Sequence, residues 1–222
     1  MRVLTIDVGG THVKILRSGE SEPRRFPSGP KMTPGAMVEG VRALAADWPY
    51  DAVSIGYPGP VLHGVPAAEP HNLAPGWVAF DFAAAFGVPV KVINDAAMQA
   101  LGSYRGGRML FLGFGTGLGT AVIVDGALEP LELAHLPYKK ATYEDYVGAH
   151  ALKKFGRKHW RRNVEEVIAT LSAAFSPDDV VLGGGNARLL KNLPERCRLG
   201  DNANAFLGGF ALWDPAYGKE PS

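Results

Sequence analysis

The stretch Met109–Gly126, MLFLGFGTGLGTAVIVDG, sets two apolar, β-rich runs on either side of a segment with glycine at 113, 115, 117 and 119 and threonine at 116. Met109–Leu112 and Ala121–Val124 read as buried strands, and the glycines between them as the turn of a hairpin. One or two glycines satisfy a tight hairpin. Four in alternation exceed that need, and backbone without Cβ atoms lets several amides converge on an anion. The pattern is not the dinucleotide fingerprint: the G-x-G-x-x-G spacing is not met, and a strand follows where a helix is required. A G-K-[ST] phosphate loop is also absent.

A second glycine hairpin lies near the start of the chain. Val3–Ile6 and Val13–Leu16 are β-rich and flank DVGGTH, so strand, glycine turn, strand occurs twice. Each copy opens what reads as one lobe of a two-lobed protein with a cleft between. The first lobe is expected over residues 1–105 and the second over 106–203, with a last helix at about 204–222 packing back on the first. Between the hairpins, Arg17–Thr33 reads as a polar surface excursion, Pro34–Ala46 as a helix, Ala52–Ile55 as a short buried strand and Leu62–Gly76 as loop. Ala79–Phe86 reads as a short helix, Val88–Ile93 as a strand ending at Asn94-Asp95, and Ala96–Tyr104 as a helix. After the second hairpin, Tyr143–Trp160 and Val164–Phe175 read as helices, Val180–Leu182 as a buried strand feeding Gly183–Gly185, and Asn204–Leu212 as the last helix. The alternation is that of an α/β protein.

The 222 residues suffice for a real core, and 46% hydrophobic with 20% charged residues is a globular composition. No apolar run approaches the roughly 20 residues that span a bilayer, and the first residues run straight into a strand pattern, so a cytoplasmic protein without a membrane partner is expected. Cys197 is the sole cysteine, which excludes a disulfide framework and a cysteine-based zinc site. A net charge of +1 gives no global attraction to nucleic acid.

Eight segments, taken together and in order, resemble the ROK family of sugar kinases, in the actin and hexokinase superfamily, and most of all its polyphosphate glucokinase branch. They are IDVGGTHVK (Ile6–Lys14), GYPGPV (Gly56–Val61), HNLAPGW (His71–Trp77), VINDAA (Val92–Ala97), the opening stretch, LELAH (Leu131–His135), YEDYVG (Tyr143–Gly148) and VLGGGNA (Val181–Ala187). The resemblance implies a two-lobed, ribonuclease H-like fold in which a sugar and a phosphoryl donor meet in the cleft. It implies Asp95 as catalytic base, and Asn94, Glu132, His135, Glu144, Asn72 and Gly59 as sugar-contacting positions. Asp7, Gly9, Gly10 and Thr11 match the first phosphate loop, Gly115, Thr116 and Gly117 the second, and Gly183, Gly184 and Gly185 the turn beside a nucleotide base. The implied donors are ATP or inorganic polyphosphate, the acceptor is a hexose, and a homodimer is implied by analogy. Mg²⁺ is expected to neutralise donor phosphates, held partly by Asp7.

Departures from the family pattern are specific. The zinc-binding cysteine cluster is missing, so no zinc is expected and His135 should face sugar. Ala97 stands where Asp or Asn is usual, Ala134 replaces a glycine, and His12 stands where many members have Lys or Gly. These keep a second reading open, a degenerate sugar-binding sensor on the same fold. A repressor is disfavoured because the first strand begins at Val3, leaving no room for a DNA-binding segment.

Asp is a weak base, with a reference pKa of about 3.9, so it must take a hydroxyl proton late in phosphoryl transfer. A helix N-cap is the competing role for Asp95. In LKKFGRKHWRR, cations at Lys153, Arg157 and Arg161, and at Lys154, Lys158 and Arg162, recur every four residues. On a continuous helix each trio would form a stripe, and Lys154, Lys158 and Arg162 are the expected patch for a polyphosphate chain. A solvated basic face is the plainer alternative.

Overall fold

The computed structural model describes residues 1–201 and 203–214. The first sheet is built from β1 (Val3–Val8), β2 (His12–Arg17), β3 (Arg24–Pro27), β4 (Ala52–Tyr57) and a later strand. Helix α1 (Pro34–Leu44) stands between β3 and β4. After β4 come a two-stranded hairpin, β5 (Val61–Leu62) with β6 (Val65–Pro66), helix α2 (Phe82–Phe86) and strand β7 (Val90–Asn94), followed by α3 (Asp95–Ser103). The second sheet starts with β8 (Arg108–Phe114), β9 (Leu118–Val124) and β10 (Ala127–Leu131). A small hairpin, β11 (Pro137–Tyr138) with β12 (Ala141–Thr142), leads to α4 (Tyr143–Val147) and α5 (Ala149–Phe175). Strands β13 (Asp179–Gly183) and β14 (Cys197–Leu199) complete that sheet, and α6 (Asn204–Ala211) closes the described chain.

The two sheets have one topology. Their orders are β3-β2-β1-β4-β7 and β10-β9-β8-β13-β14. In each, an antiparallel three-stranded meander is extended by two parallel strands on the side of its first strand. The two glycine turns join the first two strands of each meander, so they occupy equivalent places. This is the mixed α/β architecture expected from the doubled hairpin, and it has the actin/hexokinase-like arrangement that the family resemblance implies.

Alternation along β8 explains why both its faces are apolar. Leu110, Leu112 and Phe114 share a core with Val147, Trp160, Val164, Val167 and Leu171 of α4 and α5. Met109 and Phe111, pointing the other way, share a core with Ala96, Ala97, Ala100 and Leu101 of α3. A strand buried on both sides reads as a continuous apolar run, as MLFL does. A third core lies on the first sheet, where β1, β2 and β4 meet α1, α2 and Trp77.

Helix α6 returns to the first sheet. Thr5 and Ser54, both fully buried, donate to the carbonyls of Phe206 and Gly209 at 3.5 and 2.6 Å. Trp213 Nε1 donates to Ser54 Oγ at 2.9 Å, and Lys91 Nζ to the carbonyl of Leu212 at 2.7 Å. Against α3 the contact is backbone to backbone: a Cβ at Gly102 would overlap the carbonyl of Asn204, and one at Gly208 the carbonyl of Met98. Residues 215–222 of the expected last helix lie outside the described residues.

Several expectations need correction. The excursion over Arg17–Thr33 contains β3, an edge strand whose RRFP sequence is only half-buried. The loop over Leu62–Gly76 begins inside the β5–β6 hairpin. The short helix begins at Phe82, capped by the Asp81 side chain, and not at Ala79, whose φ of 64° is left-handed. Strands β8 and β9 run through Gly113 and Gly119, so the turn itself shrinks to Gly115–Gly117. The last long helix is unbroken between Trp160 and Val164 and kinks instead at Gly156, with φ 74° and ψ 163°. That kink removes the four-residue register between Lys153 or Lys154 and the cations after it. The stripe through Lys154, Lys158 and Arg162 is therefore not one helical line; the Lys158–Arg162 step alone lies on continuous helix.

Candidate active site

Strand β7 ends at Asn94, and α3 starts at Asp95. The cap of α3 is Asn94: its Oδ1 accepts from the amides of Ala96 and Ala97 at 3.0 and 3.1 Å, while its Nδ2 donates to the carbonyl of Gly59 at 3.0 Å. The capping role open to Asp95 falls to its neighbour, and Asp95 occupies the first helical position. Asn94 has both oxygen lone pairs and one N–H engaged, which leaves one N–H for a ligand.

Asp95 sits where the two hairpins approach. Asp7 pairs with Gly56 across β1 and β4, and a Cβ at Gly56 would lie 3.5 Å from Asp95 Cα. From the other side, Gly119 of β9 comes so close to α3 that a Cβ there would stand 2.6 Å from Ala96 Cβ. Gly113, Gly117 and Gly119 serve close approach, since none of the four loop glycines, Gly113, Gly115, Gly117 and Gly119, has a positive φ. Gly117 likewise gives way to the Glu144 carboxylate, whose Oε2 accepts from Leu118 N at 3.4 Å. Gly115 alone of the four has open space where a Cβ would be.

The carboxyl of Asp95 is pushed up to about 7, by burial first and by the negative charge of Asp7 next; a hydrogen bond from the Ala96 amide opposes this, and Glu132 adds a smaller upward push. Glu132 is raised too, by burial, with His135 lowering it and Glu144 raising it. Asp7, Asp95, Glu132, His135 and Glu144 thus form one electrostatic neighbourhood, although they come from β1, α3, the 3₁₀ turn Leu133–His135 with its leading residue, and α4. Asp7 has a resident counter-charge that sequence reading did not single out. Lys14, directly opposite it in the β1–β2 register, donates to its Oδ2 at 3.0 Å. Replacing Lys14 with Met would leave Asp7 uncompensated and move the acidic limb of a kcat/KM pH profile upward by about half a unit to one unit, while Lys14→Arg keeps it in place.

The remaining residues fall into two groups. Gly9, Gly10 and Thr11 form the β1–β2 turn, closed by a 3.0 Å bond from the Gly9 amide to the His12 carbonyl. His12 Nδ1 lies 3.3 Å from Thr11 Oγ1. Asn72 flanks this turn, its Cβ 3.2 Å from where a Gly10 Cβ would be. Gly183–Gly185 lie against the other turn: Gly183 pairs with Gly113, and Gly184, with φ 79°, abuts the Phe114 backbone. Asn186, which sequence reading quoted without a role, ties the two by donating Nδ2 to the carbonyl of Gly115 at 3.2 Å. Lys154, Lys158 and Arg162 are exposed along α5; Arg162 is paired with Glu166 at 3.3 Å, and Lys154 Nζ lies 5.2 Å from the Phe155 ring centre.

Ala97 is fully buried in the core between α3 and the second sheet, and Ala134 is buried in the core of α4 and α5. Both methyls fill apolar space. An Asp or Asn at 97 would put a polar group into that core, so the departures follow the packing of this chain.

The donor set suits a hard divalent cation. Asp7 and Asp95 are two oxygen donors whose mutual repulsion a cation would relieve. Mg²⁺ keeps most of its waters and is held by one or two carboxylates plus phosphate oxygens. Among the described residues no group of three or more His, Cys, Asp or Glu side chains could hold a metal by itself.

The ROK family model matches residues 3–130, more than half of the chain and all but the last residue of the β1–β10 region that carries both glycine turns and Asp95. The chain belongs to the ROK family. Among ROK relatives, the polyphosphate glucokinase of Mycobacterium tuberculosis is 28% identical over 208 residues, which cover 82% of this chain and 77% of that protein. The crystal structure of the inorganic polyphosphate/ATP-glucomannokinase from Arthrobacter sp. strain KM superposes with a TM-score of 0.80 at 27% identity, over 94% of this chain and 96% of the other. A ROK family glucokinase from Streptomyces griseus, solved in complex with glucose and AMPPNP, superposes at 0.77 with 17% identity, over 96% and 99% of the two chains. Among the described residues no helix is long and apolar enough to cross a membrane.

Proposed function

We propose that this sugar kinase moves the terminal phosphoryl group of inorganic polyphosphate or ATP to a hexose hydroxyl, with glucose as acceptor and glucose 6-phosphate as product. The observation that carries the reading is the place of Asp95, freed from capping by Asn94, with Gly56 of the first sheet beside it and Gly119 of the second sheet against the next residue, Ala96. In this reading the lobes, residues 1–105 and 106–203, bring acceptor and donor together over it.

Phosphoryl transfer proceeds through a loose transition state, so the protein's task is to position the reactants and balance charge. The Asp95 carboxylate accepts a hydrogen bond from the attacking hydroxyl and takes its proton as the oxygen bonds to phosphorus. A carboxyl raised toward 7 is better matched to that transfer than an ordinary aspartate. Glu132, His135, Glu144, Asn72 and the free N–H of Asn94 are assigned to the other hydroxyls; they are exposed or half-buried before sugar binds, and once a sugar covers them, analogues that leave one unpaired are rejected. The turns Gly9–Thr11 and Gly115–Gly117 are assigned to donor phosphates, the Gly9 and Gly115 amides closing the turns themselves, with Gly183–Gly185 beside them. When bound with the donor, Mg²⁺ held in part by Asp7 would neutralise phosphate charge.

The relatives named for polyphosphate and for ATP leave both donors within this proposal, and the exposed cations of α5 favour a polyanion. Lys154→Glu with Lys158→Glu is expected to lower kcat/KM for polyphosphate about tenfold or more while changing that for ATP less than about threefold, since clustered phosphate contacts carry the electrostatic affinity. Equal loss with both donors would remove the patch from the site. Assembly as a homodimer and a cytoplasmic location belong to the same reading. A coupled assay for glucose 6-phosphate with each donor tests the whole. Hexose binding without turnover by either donor would favour the sensor instead.

A further inference from the structure

The segment between β6 and α2 carries Asn72 to the first glycine turn, and it is closed on itself by one acidic side chain. Glu69 Oε2 accepts from the amides of Gly76 and Trp77, both at 3.0 Å, and its Oε1 accepts from Val78 at 3.4 Å. Three consecutive amides on one carboxylate turn residues 69–78 into a ring, and Gly76, with φ 106°, supplies backbone that other residues adopt poorly. The base of the ring is anchored. Trp77 is fully buried, its Nε1 donates to the Ala74 carbonyl at 2.8 Å, and its ring lies 5.7 Å from that of Tyr57. Tyr57 in turn donates to the Ala68 carbonyl at 2.7 Å and pairs with Asn94 across β4 and β7. The ring's exposed tip bears His71 and Asn72.

We infer that Glu69 is a positioning residue: its carboxylate latches the 69–78 ring so that Asn72 is held beside Gly10, where the proposed hexose would lie against the first glycine turn, and the latch sets hexose affinity. This rests on the functional reading above. Glu69 touches neither reactant; it acts through Asn72. The backbone amides hold its carboxyl below the ordinary glutamate range, so it is ionised through the neutral region. Loss of the latch lets the tip wander, which weakens hexose capture without altering Asp95.

The test is steady-state kinetics on the full chain with glucose as varied substrate and saturating donor. Glu69→Ala should raise KM for glucose about tenfold with kcat within about threefold, since misplacing a binding group by an ångström is costly. Glu69→Gln, whose amide oxygen can still accept from Gly76 and Trp77, should restore KM to within about threefold of wild type. In an Asn72→Ala background, Glu69→Ala should add little, because both changes remove one contact. An unchanged KM in Glu69→Ala, or losses that multiply in the double variant, would overturn the latch. Should Glu69→Ala fail to fold, Glu69→Asp, a methylene too short for the three amides, must show the same rise in KM; a wild-type KM there is equally fatal. Wild-type protein with neither turnover nor glucose binding sinks the functional reading, whereas active wild type with an indifferent Glu69 sinks the latch alone.

Discussion

On the proposed mechanism, Asp95→Asn is expected to lose glucose phosphorylation by about 10²–10⁴-fold with either donor and to keep its affinity for the sugar. The amide is nearly isosteric, and its oxygen can still accept from Ala96, so the start of α3 is preserved. What disappears is the group proposed to take the proton. Steady-state rates together with calorimetric glucose binding check this, and a variant retaining a third of wild-type turnover would remove Asp95 from the chemistry. The same variant carries a stability signature. Burial and Asp7 raise the folded-state carboxyl to about 7, well above its value in the unfolded chain of about 4. Folding therefore favours the protonated form, and that contribution is lost as pH rises from about 4 through about 7. Asp95→Asn cannot ionise, so it should melt higher than wild type at pH 8 and nearly with it at pH 4. Wild-type kcat/KM should correspondingly fall about tenfold per unit below pH 7, because the protonated acid cannot accept a proton.

The second large effect concerns folding. Ala at position 208 would ordinarily stabilise a helix by about 1 kcal/mol relative to Gly. Here its methyl would overlap the Met98 carbonyl and crowd the Gly102 amide on α3, and backbone cannot swing aside as a side chain can. Gly208→Ala should therefore destabilise by about 3 kcal/mol, a fall in Tm of roughly 6–12 °C for a chain of this size. Leu207→Ala, on the exposed side of the same helix, should move Tm by no more than a degree or two. Thermal unfolding of both variants decides it, and the sign suffices: a more stable Gly208→Ala means α3 and α6 do not meet as described.

Much of this was legible in the sequence because glycine spacing and apolar runs are local signals. The doubled strand–glycine–strand pattern gave the first two strands of each meander, and VINDAA placed Asp95 at a strand–helix junction. The elements that escaped are those whose composition hides them. β3 (RRFP), β10 (ALEPL) and β14 (CRL) are short edge strands, and edges tolerate the charges and the Pro130 that disguise a strand pattern. Asn94 and Asp95 are both good caps, and propensity alone cannot choose between neighbours. The Lys14–Asp7 pair needed the hairpin register. The Glu69 ring was invisible because its acceptor's partners are backbone amides, which leave no side-chain trace.

The last described helix, α6, covers hydroxyls that belong to two of the earliest strands. Thr5 and Ser54 find their acceptors on α6, some 200 and 155 positions downstream, and Trp213 completes the seal on Ser54. At synthesis rates of about 5–20 residues per second, the amino-terminal sheet waits roughly ten seconds or more for that cover. It cannot mature on the ribosome while residues 204–213 are still in the exit tunnel. A message cut short before them would release a product with both glycine turns and Asp95 present, yet with a raw polar seam down the middle of its first sheet.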